Sequence, residues 1–248
     1  MVFNSLFRSL LALASALSGA AFIFFIKLDH KTLCGLISFS AGALMGAAVF
    51  VLLPESAENV GIFELIIASV SGYFLFWFIS KYFSHVCPAC SASHFDEQTT
   101  KRFSEIVLTL LTALSIHSLL DGMALSSGVS THTANESVFV AILTHKFPEG
   151  LALAALMFGS NYSKRKIFSY VFLVEFATVI GAVAGYYFFQ SHISPLLIAA
   201  VMAHIAGGFV FLAFHAIFGE MYKNHKKLVI SSFSLGIVLI LSVHLFLG

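Results

Sequence analysis

The chain has 248 residues, of which 59% are hydrophobic and only 10% are charged, with 28 phenylalanines and a formal net charge of +1. Soluble domains carry about 25% charged residues, so the composition excludes an ordinary water-soluble globule and indicates a membrane protein. A net charge this close to zero implies no polyanion partner and argues against nucleic acid.

Taken in chain order, the first apolar run is 5–26. It is too long for a signal peptide and shows no small-residue cleavage site leading into a soluble domain, so it reads as a retained helix. The runs 33–53 and 62–83 follow, then a polar segment, 84–103, reading "SHVCPACSASHFDEQTTKRF". Five more apolar runs cover 104–128, 137–159, 167–189, 194–218 and 228–247. At 1.5 Å per residue each run can cross about 30 Å of hydrocarbon. The expectation is an all-α integral membrane protein with eight transmembrane helices in a single transporter-like domain, 1–248. Three cysteines make no disulfide framework, and Cys34, inside an apolar run, reads as a small packing residue.

Basic residues alternate along the chain. Lys27, Lys31, Lys81, Lys101, Arg102, Lys164, Arg165, Lys166, Lys223, Lys226 and Lys227 all fall in the odd-to-even loops or at their edges. The opposite loops, 54–61, 129–136 and 190–193, have none. Lysine and arginine collect on the cytoplasmic side. The expected topology therefore places both termini outside and the 84–103 segment in the cytoplasm, in a plasma or inner membrane. Arg8 and Lys146 stand apart from the pattern.

A weak internal repeat is visible. Residues 41–55, "AGALMGAAVFVLLPE", and 206–220, "AGGFVFLAFHAIFGE", both open on Ala-Gly and close on Glu. They lie on helices expected to run in opposite directions. Inverted repeats of this kind build alternating-access transporters, and helices 4 and 5 then occupy the centre of the bundle.

Those two helices carry the chemistry. Helix 4 contains "HSLLDG", 117–122, and helix 5 contains "HKFPEG", 145–150. His117 and Asp121 are four residues apart, as are His145 and Glu149, so each pair shares one helix face. Packed antiparallel, the two faces converge as two imidazoles and two carboxylates, a donor set for a divalent transition metal such as Zn²⁺. Pro148 removes the partner of the Thr144 carbonyl, and Gly122 and Gly150 allow close helix approach. The bland alternative is structural hydrogen bonding, with the carboxylates serving only Lys146. Ionisable groups at membrane depth are costly enough that function is the default reading.

"HSLLDG" followed by "HKFPEG" resembles the signature of the ZIP (Zrt/Irt-like) family of divalent metal transporters. The resemblance implies eight helices, outside termini, and a metal site built on helices 4 and 5 from His117, Asp121, His145 and Glu149. Two departures stand out. In helix 4, relatives often carry asparagine after the histidine and close on Pro-Glu-Gly, where this chain has Ser118, Leu120 and Asp121. Lys146 occupies the position of a second polar ligand in members that hold two adjacent metals, which implies one ion here with an ammonium in place of the other.

Other residues have two readings. Glu175 lines the path or partners Lys146, and Met45 offers a thioether or simply packs. His215 and Glu220 serve an exit path or a solvated helix end, while Glu55 and Glu58 stand where a cation would enter. His85, Cys87, Cys90 and His94 contain a Cys-x₂-Cys half-site, expected to capture or sense metal. The expected function is movement of a divalent transition metal, zinc foremost with Fe²⁺, Mn²⁺ and Cd²⁺ open, into the cytoplasm. The metal is substrate, and no resident cofactor is expected. The partners are the ion and the lipid bilayer, with a homodimer open. The rival is an intramembrane zinc-dependent hydrolase, which would use its metal to activate water.

Overall fold

A computed structural model describes residues 2–26, 30–83, 111, 114–126, 132–159, 162–192, 195–218 and 225–247. All described elements are helical. They are α1 (Val2–Phe22), α2 (His30–Ala47), α3 (Ile62–Phe83), α4 (114–126), α5 (His132–Gly159), α6 (Lys164–His192), α7 (Pro195–Phe218) and α8 (Lys226–Leu247). Six stretches are long and apolar enough to cross a membrane: Asn4–Phe25, Cys34–Ala57, Ile62–Ile79, Val138–Ala155, Lys164–Tyr187 and Lys226–Phe246. α7 adds a shorter apolar stretch, Ala199–Phe214. Of the fourth apolar run, 104–110, 112–113 and 127–128 lie outside the described residues.

α2 does not end as a regular helix. It passes through a π-helical segment, Ala48–Leu52, into a helical turn, Leu53–Ala57. Pro54 is the second residue after the π segment. It has no N–H to offer, and its ring crowds the carbonyl one turn back, so the ladder widens there. Several hydroxyls elsewhere fold back onto their own helices, a way to satisfy them where water is absent. Ser38 donates to the Cys34 carbonyl at 2.8 Å, and Thr144 to the Val140 carbonyl at 2.8 Å.

Packing is backbone to backbone. Lipid gives no hydrophobic drive for helix association, so close approach through small residues supplies the attraction. A Cβ on Gly19 would overlap the Phe147 carbonyl oxygen, and one on Gly150 the Ala16 carbonyl oxygen, locking α1 to α5. The same reciprocity joins α2 to α8 (Gly42 on Phe233, Gly236 on Phe39) and α3 to α7 (Gly72 on His204, Gly207 on Ser69). It also joins α4 to α6 (Gly122 on Thr178, Gly181 on Leu119). α1 further packs on α6, and α2 on α5 and α7. α3 buries little beyond Gly72 and Phe76 and presents Phe63, Ile66, Ile67, Val70, Phe74 and Phe78 outward.

Two large apolar clusters dominate the core, beside a small third one of Phe76 and Phe211. One holds Cys34, Ile37, Leu114, Leu151, Leu153 and Val171, so Cys34 packs as expected. The other holds Leu44, Val51, Leu125, Ile142, Met202, Ile205 and Phe209. On α4 and α5 the polar residues fall between them: Leu114 and Leu125 flank one motif, and Ile142 and Leu151 the other.

The glycine interlocks carry a stability prediction. Gly42→Leu drives a side chain into the Phe233 backbone and should cost about 1–3 kcal/mol or more, the usual penalty of overpacking. Gly35→Ala meets only ordinary contacts, the nearest being Ser232 Oγ at 3.6 Å, and should be tolerated. Thermal unfolding of the two detergent-purified variants measures the difference, and equal midpoints would contradict it.

Candidate metal centre

α4 and α5 bring their motifs together as the four-residue spacing requires. His117, Asp121, His145 and Glu149 each offer a ligand atom, and these atoms lie within 4.8 Å of one another. All four side chains are buried. Asp121 is the hub: its Oδ2 lies 3.4 Å from His117 Nε2 on its own helix and 3.3 Å from His145 Nε2 on the next. His117 Nε2, His145 Nδ1 and Glu149 Oε1 are buried without a hydrogen-bond partner among the described residues. Buried polar atoms are normally satisfied, and two imidazole nitrogens and a carboxylate oxygen left without partners are the donor chemistry of a cation site.

α5 continues as one helix through Pro148. Its backbone is supported from behind by α1: Ser15 donates to the Leu143 carbonyl at 2.8 Å, beside the interlock of Gly19 and Gly150. The proline therefore sits in a stretch where a neighbouring helix lies close against the backbone.

Lys146 is wholly buried. Its Nζ lies 2.9 Å from Asp121 Oδ2, 2.9 Å from Glu149 Oε2 and 2.9 Å from Glu175 Oε2 on α6. It also donates to Ser118 Oγ at 2.8 Å, and Ser118 Oγ donates to Glu175 Oε2 at 3.4 Å. One ammonium thus bridges α4, α5 and α6. The sequence offered Asp121, Glu149 or Glu175 as partners for Lys146, and all three are engaged.

α7 closes the centre with an apolar wall. The fully buried ring of Phe209 lies 4.3 Å from the His117 ring and 4.9 Å from the His145 ring, centroid to centroid. Sequence reasoning passed over Phe209, since one phenylalanine among 28 carries no chemical signal.

The remaining candidates are dispersed. Met45 is half-buried on α2, Glu55 is half-buried and Glu58 exposed beyond the π segment. His215 belongs to α7, but its side chain lies outside the described residues, as do Glu220 and the segment with His85, Cys87, Cys90 and His94.

The sequence matches the ZIP zinc transporter family over residues 89–244, well over half its length. The chain belongs to the ZIP zinc transporter family. It is similar to zinc transporter ZupT of Chlorobium chlorochromatii, 28% identical over 216 residues, covering 80% of this chain and 81% of the relative. It is likewise similar to zinc transporter ZupT of Chlorobium phaeovibrioides, 27% identical over 241 residues, covering 90% and 91%. An uncharacterised protein of Methanocaldococcus jannaschii matches at 26% over 215 residues. This ZIP family member is an integral membrane protein that transports zinc or a related divalent metal. The rival hydrolase reading is not favoured.

Removing one partner from a buried ion cluster costs about 3–5 kcal/mol, because the remaining charges stay buried. Lys146→Met should therefore lower the unfolding midpoint sharply in chelator-treated protein. Adding Glu175→Gln should restore much of the loss by removing one stranded carboxylate. A Lys146→Met variant as stable as the parent would show that the ammonium does not hold these helices.

Proposed function

We propose that His117, Asp121, His145 and Glu149 hold one divalent transition metal, zinc foremost, at mid-membrane on its way into the cytoplasm. The convergence of their four ligand atoms within 4.8 Å carries this reading. Two nitrogens and two carboxylate oxygens suit Zn²⁺. The charges also balance: Asp121, Glu149 and Glu175 supply three negative charges against one ammonium and one divalent ion. An ion that sheds its water on entry thus meets a site whose net charge becomes neutral only when a single M²⁺ is bound.

In this reading eight helices cross a plasma membrane, both termini face outside, and the chain is an inverted repeat. The glycine contacts support the repeat residue by residue. A shift of 165 carries Phe39 and Gly42 onto His204 and Gly207, and a shift of 164 carries Ser69 and Gly72 onto Phe233 and Gly236. Shifts of 162 and 28 carry Ala16 and Gly19 onto Thr178 and Gly181, and Leu119 and Gly122 onto Phe147 and Gly150. Under this exchange every reciprocal contact maps onto another. The shift of 165 is also the one that aligns 41–55 with 206–220. α4 and α5 exchange with each other, which puts the site on the pseudo-two-fold axis, where inverted-repeat transporters bind substrate.

His145→Ala and Glu149→Ala should each nearly abolish zinc uptake into proteoliposomes while leaving the protein monodisperse. Wild-type flux in either variant removes that residue from the site.

Lys146 stands where a second cation would otherwise sit among three carboxylates. Lys146→Asp removes the ammonium and adds an oxygen ligand, so bound metal should rise from one toward two per chain by elemental analysis. Two membrane-site metals in the parent protein would show that the ammonium does not exclude the second ion.

A further inference from the structure

The four proposed ligands come from α4 and α5, yet both histidine rings rest on a residue of α7. We propose that Phe209 sets the metal preference of the site by filling the space in which a bound ion would keep water, so that only an ion content with four protein ligands is well held. The proposal rests on the reading of His117, Asp121, His145 and Glu149 as ligands.

The geometry is specific. The Phe209 ring is tilted 51° to His117 and 76° to His145, at 4.3 and 4.9 Å. A single ring therefore abuts both imidazoles. Phe209 is completely buried, and so is His145; His117 is 2% exposed. Leu125, Ile142, Met202 and Ile205 are buried in one apolar cluster with it. A water molecule at this wall would need two to four polar partners, and the wall provides none. Elsewhere around the site Lys146 engages one oxygen each of Asp121, Glu149 and Glu175. A fifth or sixth ligand thus meets an apolar ring and an ammonium.

Ions differ in how they tolerate this. Zn²⁺ has a filled d shell and is usually tetrahedral in closed sites. Mn²⁺ favours octahedral, oxygen-rich coordination and commonly retains water. A site closed to water lowers the efficiency of Mn²⁺ relative to Zn²⁺ without any ligand contacting the ion from α7. Phe209 is a specificity-determining residue in this account, acting through the coordination number it permits.

The test is the ratio of Mn²⁺ to Zn²⁺ uptake efficiency in proteoliposomes, because loose packing alone would lower both fluxes together. Phe209→Ser opens volume and adds a hydroxyl, and should move the ratio toward Mn²⁺ by roughly tenfold, the lower end of what pocket shape can discriminate. Phe209→Leu keeps the wall apolar and should leave the ratio near that of the parent. A Phe209→Ser variant that transports zinc with an unchanged ratio overturns the proposal. X-ray absorption at the zinc edge of the loaded parent protein gives a second reading that needs no variant. Four nitrogen and oxygen ligands are expected, and five or six would overturn the proposal even if Phe209→Ser does not fold. His145→Ala separates the two levels. If it still transports zinc, the ligand assignment fails; if it is inactive and the Phe209→Ser ratio does not move, only the role of Phe209 fails.

Discussion

The rest of the structure depends on how one buried ammonium is accommodated. An isolated charge at this depth is expensive, and the Nζ of Lys146 is surrounded by Asp121, Glu149 and Glu175, each at 2.9 Å, with Ser118 at 2.8 Å. Three carboxylates around one ammonium leave the cluster short of positive charge. In the proposed one-ion reading, that shortage is what attracts a divalent ion, and the ammonium is what limits how much charge follows. The same contacts join α4, α5 and α6, so the electrostatics of the site and the packing of those helices are one problem.

Precise placement of these charges needs a rigid frame, and in lipid that frame cannot come from hydrophobic burial. It comes from paired glycines that let helix backbones touch. α1 with α5 and α4 with α6 form one set of interlocks, and α2 with α8 and α3 with α7 form another. Every proposed ligand, together with Lys146 and Glu175, belongs to the first set. The second set supplies Phe209, an apolar surface against the histidines. Polar groups thus sit on one set of helices and the water-excluding wall on the other.

Much of this was legible in the sequence, for identifiable physical reasons. Bilayer thickness fixes helix length, so runs such as 62–83 announced themselves, and α3 occupies that range. His-x₃-acid spacing puts both ligands on one helix face whatever the tertiary context, so the convergence of His117, Asp121, His145 and Glu149 followed from two short motifs. Other features had no local signal. The π segment of α2 lies in a stretch apolar on all sides, where an inserted register step leaves no periodic trace and only Pro54 hints at it. The joint engagement of Lys146 by three carboxylates depends on how α6 packs, which spacing within α5 does not determine. Phe209 was invisible because its role arises from position alone. The sequence repeat between 41–55 and 206–220 looked slight, yet the same shift of 165 carries Phe39 and Gly42, one side of the α2–α8 contacts, onto His204 and Gly207.

The central claim is that one metal ion occupies the centre beside the ammonium. Anomalous diffraction at the zinc absorption edge, from crystals of the zinc-loaded protein, tests it most directly. The account predicts one peak in the membrane site, about 2.0–2.2 Å from the nitrogen and oxygen atoms of His117, His145, Asp121 and Glu149, with the Lys146 ammonium still between Glu149 and Glu175. A peak remote from these four residues, or a second peak displacing the ammonium, would contradict it.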